Sequence, residues 1–204
     1  MKNTFIAIAA SVVTLVSGGA YAQSKTLQVG DALPAANEPM KNATDGGEMV
    51  YSKAAGKNGL LVMFSCNTCP FVVKNEGTTA KTIEYAREHG IGVVIINSNE
   101  AKREGDDSFE AMKRYARKQG YKVPYLADAN STLANAYGAN HTPEIFLFDK
   151  KSKLVYKGAM SDNPGTPEEA KVMYINNAID AVVAGKQPDP ASTKSIGCSI
   201  KRKA

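Results

Sequence analysis

A Cys-x-x-Cys pair set directly behind a continuous apolar run is the feature that most narrows what this chain can become. Leu60-Leu61-Val62-Met63-Phe64 contains no polar residue, and after Ser65 comes Cys66-Asn67-Thr68-Cys69. Such a run is too short for a buried helix and suits a central strand covered on both faces. From Pro70 to about Glu88 the pattern turns helical. Val73, Ile83 and Ala86 alternate there with Lys74, Glu76, Lys81 and Glu84, and Gly90 stands where a helix should stop. The pair therefore lies between a buried strand and the start of a helix. Unpaired N–H groups and the positive end of the dipole gather at a helix start, and both favour a cysteine thiolate. The spacing lets the two sulfurs meet within one turn. On this reading Cys66 is the exposed, attacking sulfur, and Cys69, one turn into the helix and more covered, resolves the mixed disulfide.

The segments around the pair alternate in type. A short strand is expected near Met49-Val50-Tyr51, and Gly92-Val93-Val94-Ile95-Ile96 reads as a second buried strand. Asp107, with Glu110 three residues on, is placed to cap a helix that carries Phe109, Met112 and Tyr115 and closes at Gly120. A strand at Tyr125-Leu126 and a helix over 130–137, stopped by Gly138, come next. Ile145-Phe146-Leu147-Phe148 and Leu154-Val155-Tyr156 flank Asp149 to Lys153 as a hairpin. Thr166-Pro167-Glu168-Glu169 reads as a capping box opening a helix with Val172, Ile175, Ile179 and Val182 on one face, ended by Gly185. Early alternation implies parallel strands with right-handed crossovers, and the hairpin adds antiparallel partners on one side. The expected class is α/β, a mixed central sheet with helices on both faces.

At the other end of the chain, Lys2, the apolar stretch Phe5 to Val16 and Ala20-Tyr21-Ala22 follow the order of a secretory signal peptide. Cleavage is expected after Ala22, with the periplasm as destination. A membrane anchor is the competing reading, but the run breaks at Ser17-Gly18-Gly19, short of the roughly 20 residues a span needs. No stable membrane insertion is expected after cleavage. Residues 1–22 are thus read as the leader, 23–185 as one domain, and 186–204 as a tail without periodicity. A formal net charge of +5 is mild. Only Lys201-Arg202-Lys203 is purely basic and reads as a frayed end, so no nucleic-acid partner is expected.

Three cysteines in an exported chain look like one active pair plus one extra thiol rather than a disulfide framework. Two other readings of the pair stay open. It can be an inert structural bridge, or part of a metal site. Zinc wants four ligands and only His89, His141 and Cys198 remain, while copper needs fewer.

Two segments carry a family likeness. Val62 to Phe71, with Cys66-Asn67-Thr68-Cys69-Pro70, and Tyr137-Gly138-Ala139-Asn140-His141-Thr142-Pro143-Glu144-Ile145-Phe146-Leu147 resemble the redoxin branch of the thioredoxin superfamily. They are similar in particular to peroxiredoxin-like (AhpC/TSA-type) proteins with a thioredoxin-style Cys-x-x-Cys, and the likeness runs from about Val29 to Gly185. It implies a thioredoxin-like fold and a thiol–disulfide oxidoreductase exchanging electrons with protein thiols and a redox partner protein, without cofactor or resident metal. Cys66 and Cys69 match the redox pair. Thr142-Pro143 matches a cis-proline facing that pair, with the Thr142 backbone open to an extended peptide.

The departures are also informative. Ser65 stands where thioredoxins usually carry Trp, and Asn67-Thr68 replaces Gly-Pro, which leaves the direction of electron flow open. Cys69-Pro70 matches a peroxidatic cysteine, yet Cys66 and Val62 occupy the positions of the threonine and proline that shape a peroxide pocket. A thiol peroxidase using Cys69 and a metal-delivery module are therefore the alternatives. Cys198 is a candidate third thiol, either resolving or linking two chains, or simply unpaired. His141, two residues before Pro143, is a candidate neighbour of the sulfurs or an exposed loop residue. The oligomeric state is left open.

Overall fold

The computed structural model describes residues 26–35 and 37–203, so the leader expected over 1–22 lies outside the described residues. Two short strands, β1 (Met40–Lys41) and β2 (Glu48–Met49), pair antiparallel ahead of the main sheet. The strand expected to run through Tyr51 stops at Met49. Tyr51 instead starts a 3-10 turn over Tyr51–Ala54, its ring is fully buried, and its hydroxyl donates to the Pro34 carbonyl.

β3 (Gly59–Ser65) is buried along its whole length. It is followed by α1 (Pro70–Lys74), α2 (Glu76–Glu88), β4 (Ile91–Asn97), α3 (Phe109–Gln119), β5 (Tyr125–Ala127) and α4 (Thr132–Tyr137). Next come β6 (His141–Thr142), β7 (Glu144–Asp149), β8 (Leu154–Gly158), α5 (Tyr174–Val183) and β9 (Cys198–Ser199). The main sheet has the order β5-β4-β3-β7-β8. β4 runs parallel to β3 and β5, while β7 is antiparallel to β3 and β8. This is the mixed, helix-flanked sheet of a thioredoxin-like topology.

Alternation along the strands sorts the core into two layers. Leu61, Met63, Val93, Ile95, Ile145 and Leu147 face α2, α3 and α5 through Ile83, Met112 and Ile179. Leu60, Val62, Phe64, Ile96, Phe146 and Phe148 face the other way, onto Leu133 and Tyr137 of α4. Phe64, Tyr137 and Phe146 meet edge to face, with centroids 5.0 to 5.7 Å apart. Each such buried side chain contributes about 1.5–3 kcal/mol, so the strand that delivers the cysteines is anchored on both faces.

Three further expectations differ. The helix from Pro70 to Glu88 breaks at Asn75, whose fully buried side-chain amide donates to the carbonyls of Phe71 and Pro164 and bends the path there. Ser108, not Asp107, caps α3, its hydroxyl accepting from the Ala111 N–H at 3.3 Å. The Thr166 box opens only a 3-10 turn over Pro167–Glu169. Beyond it the Asp162 carboxylate accepts from the N–H groups of Lys171 and Val172, and the Asp162 N–H donates to the Val172 carbonyl. Those bonds hold the segment extended, so α5 begins at Tyr174 and leaves Val172 exposed outside it.

Candidate active site

β3 carries its buried pattern through Ser65, and the chain then turns through Cys66, Asn67 and Thr68 into α1. Pro70 is the first helical residue, a position where its missing N–H costs nothing and its φ is preset. Cys69 is therefore the residue at the helix start, with extended backbone (ψ 126°). The helix begins at Pro70 as expected, which leaves Cys69 at its N-cap and not one turn inside it. The expected order of exposure is reversed. Cys66 is the deeper residue, 1% exposed against 6% for Cys69.

A buried carboxylate holds the loop from beneath. Asp107 Oδ1 accepts from the Asn67 N–H at 2.9 Å and from Asn97 Nδ2 at 2.7 Å, and Oδ2 accepts from Asn99 Nδ2 at 2.9 Å. Tyr125 donates to Asn67 Oδ1 at 2.8 Å, and Asn67 Nδ2 donates to the Asp106 carbonyl at 2.7 Å. Asn67, one of the two residues between the cysteines, is thus held through its N–H and both polar atoms of its side chain. Sequence reasoning missed this role of Asp107 and Asn67. The available signal was Asn97-Ser98-Asn99 at the end of a buried strand, where polar residues need a partner.

The opposite wall is the Thr142–Pro143 turn, whose peptide bond is cis. Thr142 is buried; its Oγ1 lies 3.5 Å from Cys66 Sγ, and its carbonyl accepts from the Cys69 thiol at 3.2 Å. The Thr142 backbone is not open as expected. β9 pairs antiparallel with β6, setting Cys198 opposite Thr142 and Ser199 opposite His141. Nor is the basic end frayed. The Lys201 N–H donates to Asn99 Oδ1, and Arg202 donates to Asn135 Oδ1 and the Ala139 carbonyl. A cavity of 160 Å³ remains between the walls, lined by Cys66, Cys69, Thr142 and Cys198 with Lys102 and Lys201 at its edge. All three cysteines are free thiols.

The three thiols lie close enough to influence one another's protonation. The hydrogen bond from Cys66 is the largest influence holding Cys69 below the ordinary thiol range. Burial opposes it, and the Cys198 thiol and the N–H groups of Val72 and Cys198 add to it, although Cys69 makes no formal capping bond to α1. Cys66 is pushed up, first by that shared hydrogen bond, then by burial, with Asp107 adding repulsion. The Thr142 carbonyl favours a protonated Cys69, but one acceptor stands against several donors. The balance of these contacts favours a thiolate at Cys69 over one at Cys66. Cys198 is raised, by burial first and then by the two cysteines' hydrogen bond.

Of the residues singled out from sequence, Cys66, Cys69, Thr142, Pro143 and Cys198 come together in the fold. His141 does not line the cavity; its Nδ1 bonds Ser195 Oγ at 2.9 Å. Among the described residues, no group of three or more His, Cys, Asp or Glu is arranged to hold a metal ion, and no helix is long and apolar enough to cross a membrane.

Residues 28–174 match the family model described as Redoxin. An uncharacterized conserved protein from Geobacillus kaustophilus is 33% identical, with a TM-score of 0.78, over 86% of this chain and 93% of that one. A hypothetical protein from Sinorhizobium meliloti 1021 is 35% identical, also at 0.78, over 88% and 97%. The peroxidoxin BcpB of Mycobacterium tuberculosis shares the fold at 16% identity and a TM-score of 0.54, over 78% and 95%. No curated protein is similar to this chain.

Proposed function

The chain belongs to the redoxin family, and on that premise we propose that it is an exported thiol–disulfide oxidoreductase whose working group is a reversible Cys66–Cys69 disulfide. The observation that carries this reading is the placement of Cys66 and Cys69 in one cavity under the cis-proline turn, with Cys69 at the start of α1, where a thiolate is favoured. In the reducing direction the Cys69 thiolate attacks a partner disulfide and expels one partner thiolate. Cys66 then gives up its proton and attacks Cys69, closing the pair and releasing the second partner sulfur. Thr142 positions both sulfurs. The site calls for no cofactor, and its partners are protein thiols or disulfides. Export to the periplasm rests on residues 1–22 alone, and N-terminal sequencing of the chain recovered from an exporting cell should begin at Gln23.

The same thiolate supports a second reading, a thiol peroxidase. There the Cys69 thiolate breaks a hydroperoxide O–O bond, releasing water or an alcohol, and Cys66 closes the disulfide with loss of water. One comparison separates the two. Disulfide reduction and peroxide consumption are measured side by side on the purified protein and its Cys66→Ser and Cys69→Ser forms. The expected result is that Cys69→Ser abolishes disulfide reduction, while Cys66→Ser stops after one turnover with the partner trapped on Cys69. Fast peroxide consumption by a protein that reduces no disulfide reverses the ranking.

A further inference from the structure

The strand that closes the cavity belongs to the chain's own C-terminus. A peptide edge beside a cis-proline turn is a place for an extended partner to add a strand. Here that edge is filled by β9, with Cys198 opposite Thr142. The fit is close. A Cβ on Gly197 would lie 2.2 Å from the Thr142 carbonyl oxygen, so only glycine permits this approach. Ile200 is buried in the layer behind the turn, and its N–H donates to the Asn140 carbonyl at 2.9 Å. Upstream, Ser195 bridges His141 and Glu144. Cys66 and Cys69 are buried while Cys198 is partly exposed, and all three line one cavity.

We propose that Cys198 is a third redox thiol and the tail an internal partner, taking the disulfide from the buried pair and carrying it toward the surface. The Cys198 thiolate attacks Cys69 of the Cys66–Cys69 disulfide. The Cys69–Cys198 bond forms, the Cys66–Cys69 bond breaks, and Cys66 leaves as a thiolate that takes up the proton Cys198 gave up. Two thiol-level sulfurs exchange places, so no outside oxidant or reductant enters the step. A partner thiol then meets the disulfide at Cys198 instead of reaching into the cavity. The relay rests on the reading of Cys66 and Cys69 as a redox pair.

The test uses the full chain carrying Cys66→Ser, exposed to oxidised glutathione, with disulfides mapped by mass spectrometry of unreduced peptides. The expected product is an internal Cys69–Cys198 disulfide, formed at a rate independent of protein concentration. A persistent glutathione adduct on Cys69 with Cys198 free overturns the proposal, and so does a disulfide-linked dimer. Adding Gly197→Val should slow the closure about tenfold or more, because displacement on the ångström scale is enough to spoil alignment, with the circular dichroism of the parent retained. In wild type, an oxidised sample trapped with acid should hold both disulfides; Cys66–Cys69 alone also overturns the relay. Failure of the oxidoreductase reading looks different, since wild type then forms no Cys66–Cys69 bond under the same oxidant.

Discussion

The two walls of the thiol cavity are built by different means. On one side the Cys66–Cys69 loop leaves the most buried strand and is tied down by Asp107, a fully buried carboxylate with three amide donors on it. On the other side the tail lies against β6 by two residue pairs, a plugging Ile200 and a few part-exposed polar bonds. The first wall cannot move without stranding buried polar groups, which is costly. Apart from Ile200, the second is made of polar contacts that water can replace singly. A thiol chemistry that shuttles between sulfurs needs this asymmetry, with one sulfur fixed in geometry and charge and the other able to come and go.

Breaking the rigid wall should have the largest effect. Asp107→Ala leaves three buried amide donors without acceptors, and its cost is about 3 kcal/mol or more, read as a lowered denaturation midpoint. An unchanged midpoint would mean that the loop is not held from beneath. The tail should respond differently. Ile200→Ala removes buried side-chain volume, but a terminal segment can detach locally, which limits the global loss to about 1 kcal/mol. Hydrogen exchange at Thr142, Ser199 and Ile200 should rise while β3 stays protected; uniform loss of protection would erase the distinction between the walls.

The charge can be tested by pH. The Cys69 pKa lies below its unfolded value, so its contribution is full above the unfolded thiol range and is lost as pH falls through the folded value. Cys66 is raised, so its contribution is full below the unfolded range and is lost as pH rises through the folded value. The contribution of this pair to the stability of the reduced protein, read as the difference from a Cys66→Ala/Cys69→Ala form, should therefore be greatest near the unfolded thiol pKa, about pH 8.5, and fall on both sides. Cys66→Ala removes the main donor to Cys69 and should flatten the acid side and slow alkylation of Cys69 at neutral pH, whereas Cys66→Ser, which keeps a donor, should do less. Equal effects would mean that the charge on Cys69 does not come from its neighbour. The smallest change is expected at Lys201, which draws the Cys198 pKa down. Lys201→Gln should slow Cys198 alkylation by about twofold, as an exposed charge is well screened.

Much of the fold was legible because its signals are local. The apolar run before Cys66, the second run ending at Ile96 and the 145–156 hairpin all became strands in the expected order. Gly120, Gly138 and Gly185 sit at positive φ where helices end. The failures share one cause. Asp107 looked like a cap and the Thr166 box looked like a helix start, yet each lost to a hydrogen-bond partner outside its own four-residue pattern. Asn67 claims Asp107 from 40 residues away, and Asp162 claims the backbone that would have continued the helix. Local pattern cannot register such competition.

The sequence by itself determined that two cysteines would stand between a buried strand and a helix, because apolar period, proline and glycine act over a few residues. Only the tertiary structure decided which sulfur lies deeper, what lies under the loop and which peptide fills the edge beside Thr142. Those outcomes depend on burial and on hydrogen bonds between segments that meet only when the sheet has formed.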